Sequence, residues 1–435
     1  MAAVETSANS SIDMETLAKD RAPTPPLPSA VSMPGPSVPA PPPNGGTTAW
    51  LQVVGAFLLF FSSWGLINTF GVFQEYYSET YLASFPPSSI SWIGTAQGFL
   101  LINFGVLSGP LYDMGYLRGL IGTGAGLIFM GLLVAGEVRE FFGIFLSLSV
   151  MVGLGAGCLF VPSVAIVSQY FTSRRPFATG IAAAGGSFGG VVFPIIFRHA
   201  LDNVGYSWSC RILAFIVLAA LAGPFLLMKP RVIPSQKRKL FDFAALKDSA
   251  FLLFSLSLFF TFVGLYEPFF YIPSYSKTEL GVGQSLGFYM LSVLNAGSFF
   301  GRLIPNLVAN YTGSMNALLS CICISGVLIF CWIPVKTLAG LIPFAILYGF
   351  FSGAVVSLPP TAMVTLSPDI SKVGQRMGMS FSFAGFGLLV GNPIAGAILR
   401  GQSKYLGLQV FSGVTVMVGF VLLLGALLVH KARVN

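Results

Sequence analysis

Two charged side chains lie inside long apolar stretches of this sequence. Arg302 falls in SVLNAGSFFGRLIPNLV, residues 292–308, and Glu267 falls in VGLYEPFFYIP. An ionisable residue in such surroundings is costly and points by default to a pathway for a ligand, an ion or a proton. The planar guanidinium of arginine suits bidentate contact with a carboxylate, and a glutamic acid suits proton transfer. Arg302 is therefore a candidate ligand for an anion, and Glu267 is a candidate proton site.

Both residues also have a structural interpretation, and the sequence leaves the choice open. Arg302 lies about 9 Å from the predicted end of its helix, so its head group can also reach the interface or pair with a backbone carbonyl. Glu267 precedes Pro268 near the opposite end of its segment, where it can be an interfacial residue. The two residues differ in depth by about 15 Å, which is too far for a direct pair. Ser298, one turn before Arg302, offers no countercharge.

The composition predicts that these stretches cross a membrane. Of the 435 residues, 54% are hydrophobic and only 9% are charged, whereas soluble domains carry about 25% charged residues. The mean hydropathy of +0.81 agrees with this. So little polar surface cannot cover a large soluble globule, and the chain is predicted to be an all-α, polytopic membrane protein embedded in a lipid bilayer.

Several other functional classes are disfavoured by the sequence. Its net charge of +8 is spread along the chain, which argues against a nucleic-acid surface. No G-x-x-x-x-G-K-[ST] motif occurs, so nothing indicates ATP binding. Two histidines, and five cysteines without a C-x-x-C pair, argue against a metal centre, and no cofactor is predicted. GGSFG, residues 185–189, matches a nucleophile-elbow pattern but lies in a Gly/Ala-rich apolar run, which indicates a helix contact rather than an enzyme.

Twelve apolar runs have the roughly 20 residues that a helix needs to cross hydrocarbon. They are predicted at about 50–74, 88–111, 116–136, 141–169, 176–198, 209–228, 249–273, 285–308, 314–334, 338–360, 374–398 and 406–429. The longest hydrophilic break separates the sixth from the seventh. The predicted organisation is a disordered, Pro-rich cytosolic tail (1–48), a six-helix half (49–228), a cytosolic linker (229–248), a second six-helix half (249–430) and a short cytosolic tail (431–435).

The distribution of Lys and Arg supports this count, because basic residues concentrate in cytosolic loops. The side of the linker carries Arg118, Arg174, Arg175, Lys229, Arg231, Lys237, Arg238, Lys239, Lys247, Lys372, Arg376, Lys431 and Arg433. The other side carries Arg139, Arg198, Arg211, Lys277, Lys336, Arg400 and Lys404. Both termini are therefore predicted to be cytosolic.

Two motifs resemble those of a known transporter family. GPLYDMGYLR, with Gly109, Asp113, Gly115 and Arg118, resembles the cytosolic signature G-x-x-x-D-x-x-G-R-R of the major facilitator superfamily. A carboxylate there can pair with a cation on a neighbouring helix in one closed state, or it can simply cap a loop. The equivalent place in the second half of the chain holds Asn310, so a latch there would use a neutral hydrogen bond.

The second motif is YFTSRRPFATGIAAAGGSFGG. It is similar to a signature of the monocarboxylate porter family, and SSWGLINTFGVFQEYY, residues 62–77, is similar to its fungal branch. The matching positions are Tyr170, Phe171, Arg174, Arg175, Ala178, Gly180, Ala182, Ala184, Gly185 and Gly189. The family's other signature is retained in part as NGGTTAW, where Asn44 replaces an acid. The resemblance covers the chain from about residue 44 onward, and it places Arg174 and Arg175 at the cytosolic gate.

The resemblance implies the major facilitator fold and alternating access of a midplane site to the two sides of the membrane. It also implies that Arg302 holds a substrate carboxylate, and that neutral groups on the helices around the cavity are candidates for substrate contact: Asn68, Tyr266, Asn295, Ser298 and Ser380. Any one of these side chains is more often a contact between helices. The implied substrate is a small organic acid or related metabolite, moved with protons.

Other functions remain open at this level. Efflux of a secondary metabolite or transport of a vitamin is the alternative within transporters, and a nutrient sensor with a transporter fold is a further one. The plasma membrane is the expected location, and a vacuolar or other internal membrane is the alternative.

Overall fold

A computed structural model describes residues 43–231, 243–367, 373–400 and 404–434 of the chain. Most of the predicted Pro-rich tail, Lys237, Arg238 and Lys239 of the predicted linker, and Lys372 lie outside the described residues. Every spanning element in the described part is helical, as the composition predicts.

The first half of the fold contains six helices. They are α1 (Thr47–Glu79), α2 (Pro87–Asp113), α3 (Leu117–Glu137), α4 (Phe141–Tyr170), and α5 and α6, which share the continuous stretch Arg175–Leu227. This stretch turns at Gly205, whose φ of 78° is outside the helical region and suits a residue without a Cβ. Residues 175–204 are therefore α5, and residues 206–227 are α6.

The second half repeats this arrangement. Its helices are α7 (Ser249–Leu280), α8 (Gln284–Thr312), α9 (Ser314–Trp332), α10 (Leu338–Ser357, continued by Pro359–Leu366), α11 (Val373–Leu399) and α12 (Lys404–Val434). The twelve predicted helices are confirmed, and their bounds agree with the predicted ones to within seven residues. Among the described residues, ten stretches are long and apolar enough to cross a membrane, with α5 and α6 counted as one. The remaining helix, α8, is more polar because it carries Asn295, Arg302 and Asn306.

Besides the interruption of α10 at Leu358, two helices in the described part of the chain depart from regular α geometry. Helix α4 widens into a π-helical segment over Phe145–Met151, and α7 is interrupted between Leu265 and Glu267. The second break has a local cause, because Pro268 has no N–H with which to continue the helical hydrogen bonding. The hydroxyl of Tyr348 donates to the carbonyl of Leu265 at 2.6 Å and so satisfies an acceptor at the break. The interruption places Glu267 at the start of a new helical segment inside the protein.

Glycines allow neighbouring helices to approach closely. A Cβ at Gly185 of α5 would lie 2.0 Å from the carbonyl oxygen of Phe57 on α1. A Cβ at Gly301 of α8 would lie 1.8 Å from the carbonyl oxygen of Phe350 on α10. These distances leave no room for any side chain, and such close backbone contacts hold membrane helices together where no hydrophobic effect does so.

The face of the bundle that carries residues 44, 229–231 and 248 is called the linker face below, and the opposite face is called the far face. On the linker face, the side-chain oxygen of Asn44 accepts from the N–H groups of Thr172 and Ser173 at 2.6 and 3.1 Å, just before α5 begins. In the corresponding place of the second half, Asp248 contacts Arg376 at the start of α11 at 3.1 Å. Asn44 thus joins the segment before α1 to the segment before α5 through neutral hydrogen bonds.

Candidate functional site

A cavity lies between the two halves and opens at the linker face. Its outer chamber has a volume of about 340 Å³. The polar part of its wall includes Asp113 at the end of α2, Gln169 on α4, and Arg175 and Thr179 on α5. The second half contributes residues of α10 and α11, among them Thr361 and Met377. Both halves therefore enclose this space.

Two smaller apolar chambers adjoin the outer one. The side chamber, about 60 Å³, lies between α2, α4 and α11 and is lined by Val106, Gly109, Pro110, Phe160, Val161, Val164, Ala165, Gly374, Gln375, Met377, Gly378 and Phe381. The deep chamber, about 20 Å³, is lined by Phe60, Trp64, Phe160, Val164, Thr179, Ala183, Val356, Ser357, Pro360 and Phe381. Val164 belongs to all three chambers, so it stands at their junction.

An aromatic cluster forms the inner wall of these chambers. The ring of Phe160 on α4 lies edge-on to Phe60, Trp64 and Phe381, with centroid separations of 6.4, 6.0 and 5.6 Å. Trp64 also stacks on Tyr266 of α7 at 6.3 Å. Phe160 and Phe381 come from opposite halves, so the cluster connects the two halves at the inner end of the cavity. Such a wall suits a flat, apolar ligand.

Arg302 is buried immediately behind the deep chamber. Its side chain is 1% exposed, and its Nη1 donates to the carbonyl oxygen of Ala183 at 2.6 Å. Its Nε has no hydrogen-bond partner among the described residues. Of the interpretations that the sequence left open, pairing with a backbone carbonyl is the one present here. Arg302 does not line any of the three chambers in this conformation.

The bond from Arg302 is one member of a polar seam between α5 and α8. The hydroxyl of Ser187 donates to Ser298 at 2.9 Å, and Ser292 donates to the carbonyl of Val191 at 3.2 Å. Near the far face, Arg198 Nε donates to the hydroxyl of Ser285 at 2.9 Å. These contacts follow one antiparallel register along both helices, so the two halves are joined along this whole seam.

Glu267 is fully buried at the break in α7. Its side chain is 0% exposed, and neither carboxyl oxygen has a hydrogen-bond partner among the described residues. The next turn of the same helix carries Tyr271, whose hydroxyl hydrogen-bonds to Ser91 of α2 at 2.7 Å and donates to the carbonyl of Asn392 on α11 at 3.0 Å. The sequence-based alternative of an interfacial residue is wrong, because Glu267 does not reach any surface.

The other predicted substrate ligands make contacts inside the helix bundle. Asn68 donates to the carbonyl of Gly186 at 3.3 Å, and Asn295 donates to the carbonyl of Leu291 at 3.0 Å within its own helix. Ser380 shares a hydrogen bond of 2.8 Å with Ser255. Tyr266 is buried against Trp64. None of these four side chains lines the three chambers in this conformation, so their role as ligands stays a prediction.

The predicted gate residues lie together at the linker face, but their environments differ. Asp113 and Arg175 line the outer chamber, and Gly109 lines the side chamber. Gly115 makes the turn between α2 and α3 with a φ of 89°, which explains the glycine of the motif. The three remaining residues, Arg118, Arg174 and Asn310, are exposed at helix ends.

The far face is closed by contacts between the halves. Lys277 of α7 pairs with Glu79 at the end of α1, and the ring of Phe70 lies 5.1 Å from that of Phe270. A Cβ at Gly71 would lie 2.3 Å from the carbonyl oxygen of Phe269. The conformation described is therefore open at the linker face and closed at the far face.

Apart from Gly109, Asp113 and Arg175 of the predicted gate, sequence reasoning did not identify the residues that line the chambers. Phe160, Val164, Phe381 and Met377 lie in apolar runs whose composition resembles that of any membrane helix. The sequence carries no signal that separates a cavity-lining phenylalanine from one that faces lipid, because both are apolar.

Twelve spanning helices that enclose a cavity open at one face define a membrane transporter. The chain belongs to the Major Facilitator Superfamily, whose family profile matches residues 53–368. Among solved structures, the crystal structure of the peptide transporter POT in complex with sulfate is similar, with a TM-score of 0.68 and 13% identity over 89% of this chain and 97% of that one. At this identity the likeness shows the fold alone.

Three curated relatives are similar over most of their length. The MFS-type transporter dbaD of Emericella nidulans is 42% identical over 87% of this chain and 86% of its own. The aspyridones efflux protein apdF of the same species is 35% identical over 88% of this chain and 78% of its own. The agnestins efflux protein AgnL12 of Paecilomyces divaricatus is 38% identical, with 88% of both chains covered.

Proposed function

We propose that this protein exports a secondary metabolite by alternating access of the central cavity to the two sides of the membrane. The observation that carries this proposal is the aromatic inner wall of Phe60, Trp64, Phe160 and Phe381. That wall suits a flat, largely apolar molecule better than a small carboxylate. The relatives named as efflux proteins for aspyridones and agnestins support export.

Transport of a small organic acid, which the sequence favours, has weaker support. It depends on Arg302 as the ligand for a carboxylate, yet this guanidinium donates to Ala183 and lies outside the chambers. The finer assignment to the monocarboxylate porter family rests on the motif that contains Arg174 and Arg175. An anionic secondary metabolite would be consistent with both proposals. When the seam between α5 and α8 opens, Arg302 would release the carbonyl of Ala183 and bind the substrate anion.

Export by alternating access needs an energy source, and we propose that protons supply it through Glu267. The buried, apolar environment of Glu267 supports this proposal. An ionised carboxylate without partners in an apolar site costs far more than the neutral acid, so the acid form suits the conformation with a closed far face. Opening of the far face at Tyr271 and Ser91 would let the ionised Glu267 take up a proton from that side. Loss of this proton towards the linker face would complete a cycle in which inward flow of protons drives export.

The predicted membrane topology remains part of the proposal. Residues 49–228 and 249–430 would move as two six-helix halves around the linker 229–248. The linker face would be cytosolic, because basic residues concentrate there. The plasma membrane is the location that export requires, and an internal membrane would instead imply sequestration.

The function is tested with the purified full-length chain in proteoliposomes. Candidate substrates are a flat hydroxylated aromatic acid and, as the small-acid control, lactate, each with and without a pH gradient. We expect saturable, gradient-stimulated transport of the aromatic acid and little transport of lactate. Saturable transport of lactate alone would overturn the proposal in favour of the small-acid transporter. Unchanged transport by Arg302→Ala would remove Arg302 as the ligand of the anion.

A further inference from the structure

Tyr266 lies at the break in α7, and its ring contacts an aromatic ring on each side of that break. It is the residue between the two helical segments of α7, which end at Leu265 and begin at Glu267. Its ring lies 5.9 Å from that of Phe262 in the first segment and 5.3 Å from that of Phe269 in the second. A displacement of this ring therefore acts on both segments and on the peptide that joins Tyr266 to Glu267.

The same tyrosine ring is in contact with the cavity wall of the other half. Trp64 of α1 stacks on Tyr266 with a centroid separation of 6.3 Å and an angle of 28° between the ring planes, and Trp64 lines the deep chamber. The Cβ of Trp64 is held against α5, because a Cβ added at Gly186 would lie 2.8 Å from it. Movement of Trp64 is therefore movement of its indole ring, which is the part that contacts Tyr266.

The deep chamber is too small for a substrate in the conformation described. Its volume of about 20 Å³ has room for about one or two water molecules. A flat aromatic molecule can enter this chamber only when rings of the wall are displaced. A substrate that displaces Trp64 changes the contact between Trp64 and Tyr266.

Glu267, the residue after Tyr266, lies among groups that keep a constant charge near neutral pH. It interacts with the hydroxyls of Tyr271 on the same helix and of Tyr348 on α10, and Arg302 of α8 interacts with Tyr266. Tyrosine hydroxyls ordinarily ionise near pH 10 and arginine stays protonated, so Glu267 is the member of this cluster whose charge can change near neutral pH. About 10 Å further along the helix, near Ser274, α7 faces two more ionisable side chains: Glu75 of α1 and Tyr405 of α12.

From these contacts we infer that Tyr266 is a positioning residue that links substrate to proton: a flat aromatic substrate that displaces Trp64 moves Tyr266 and so promotes loss of the proton from Glu267. This link rests on the proposed function and adds the residue through which the two ligands affect each other. Export driven by inward flow of protons needs such a link, because substrate binding and proton release must favour each other in the conformation open at the linker face. Linkage is reciprocal, so loss of the proton must also tighten binding of the substrate.

The test measures binding of a neutral probe, methyl hydroxynaphthoate, to the full-length chain in lipid nanodiscs between about pH 5 and pH 8. This ester is flat and aromatic and carries no charge in that range, so it cannot change the proton affinity of Glu267 by direct electrostatics. Binding is measured as tritiated ester that unlabelled ester displaces from immobilised protein, which subtracts partition into the lipid. We expect the affinity of the wild type to rise about fivefold or more over this range, and that of Glu267→Gln to stay constant.

Tyr266→Leu is the variant that breaks the link. It should still bind the ester, which shows that it is folded, but its affinity should change less than about twofold over the same pH range. Tyr266→Phe keeps the stacked ring and should keep the pH dependence. Phe381→Leu is the matched control, because among the described ring contacts Phe381 packs on Phe160 rather than on Tyr266. Its affinity for the ester should fall, while the pH dependence of that affinity should stay.

Three outcomes would overturn the role of Tyr266 and leave the proposed function intact. One is a full pH dependence in Tyr266→Leu. Another is loss of the pH dependence in Phe381→Leu as well, which would indicate a general effect of packing. The third is loss of the pH dependence in Arg302→Leu but not in Tyr266→Leu, which would assign the link to the guanidinium.

Other outcomes would overturn the proposed function and the role of Tyr266 together. A wild type whose affinity does not depend on pH, or a Glu267→Gln variant that keeps the dependence, would remove Glu267 as the proton site. Absence of saturable binding of the ester by the wild type would remove flat aromatic molecules as the substrate class.

Discussion

Nη1 of Arg302 on α8 donates to the carbonyl oxygen of Ala183 on α5, at 2.6 Å, across the boundary between the two halves of the protein. The bond joins a charged donor to a backbone acceptor that already belongs to a helix. It also belongs to the closed seam rather than to the cavity wall. Because the bond lies between the two halves, a conformational change that opens this seam must break it.

Replacing Arg302 should shift the protein away from the conformation open at the linker face. A hydrogen bond to a charged group is worth about 1.5–3 kcal/mol, and 1.4 kcal/mol corresponds to a factor of ten in a population. We expect Arg302→Leu to reduce the reactivity of a cysteine placed at Val164, in the cavity wall, towards a membrane-impermeant maleimide by up to about tenfold. Ser298→Ala, one turn away, loses only a neutral hydrogen bond to Ser187 and should have a smaller effect. Unchanged reactivity in Arg302→Leu would mean that the bond does not stabilise this conformation.

Glu267→Gln should uncouple transport from the pH gradient. Glutamine has the shape of the neutral acid but cannot release a proton, so the variant should fold and still exchange substrate across the membrane. We expect the rate of transport in a pH gradient to fall to the rate measured without a gradient. The measurement is efflux from proteoliposomes with and without the gradient, beside substrate exchange at equal pH.

Glu75 provides the matched control for that experiment, because it is another carboxylate buried in a spanning helix, 4% exposed on α1. Glu75→Gln should keep its response to the gradient. If Glu267→Gln also kept the full response, Glu267 would not be the coupling site.

Gly71→Ala should weaken the closure of the far face. The added Cβ would lie 2.3 Å from the carbonyl oxygen of Phe269, a backbone atom of the other half that cannot rotate away. We expect a several-fold decrease in aqueous labelling of Val164→Cys, because opening of the far face closes the linker face. Gly185→Ala places its Cβ 2.0 Å from Phe57 within one half, so it should lower the melting temperature instead. The same loss of stability in both variants would show that the Gly71 contact is purely structural.

Acid should weaken the ion pairs at the linker face. Partial burial raises the pKa of Asp248, but hydrogen bonds from Arg433 and Arg376, at 2.6 and 3.1 Å, outweigh it and leave this pKa below its ordinary value. A lowered pKa in the folded state means that the stabilisation is complete above the unfolded value, near pH 4, and is lost as the pH falls through the folded value.

We therefore expect Asp248→Asn to lower the melting temperature at pH 7 and to make it less dependent on pH between about 5 and 3. Asparagine can still accept the N-cap hydrogen bond from Ala250, so the difference reports the ion pairs alone, about 0.2–1 kcal/mol each. Asp202→Asn removes the exposed pair with Arg198 and serves as the control. An equal effect of the two substitutions would contradict the prediction.

The sequence predicted the helices well because their signals are local. Runs of about 20 apolar residues must span the bilayer as helices, since every backbone N–H and C=O group needs an internal partner there. The break in α7 is also local, because Pro268 and the acid before it stand together in the sequence. The sequence likewise identified Arg302 and Glu267 as unusual, because a charge in an apolar run is visible without a structure.

The partners of these residues were not predictable in the same way. Ala183 is an unremarkable alanine in a run of small residues, and only the approach of α5 to α8 makes its carbonyl the acceptor for Arg302. Asn68 and Ser380 likewise found partners on neighbouring helices rather than positions in a cavity wall. A polar side chain in a membrane helix takes whichever acceptor packing brings close, and that choice involves residues distant in the chain.

The sequence alone therefore determined the membrane setting, the number of spans and the two buried charges, because each follows from the cost of placing a side chain or a backbone group in hydrocarbon. The tertiary structure alone decided which apolar residues enclose the cavity and which seam is held by hydrogen bonds. Phe160 and Phe381 are 221 positions apart in the sequence, and their rings meet only because helices of opposite halves pack together. Hydropathy predicts that an apolar side chain is removed from water, whereas packing decides which residues it contacts.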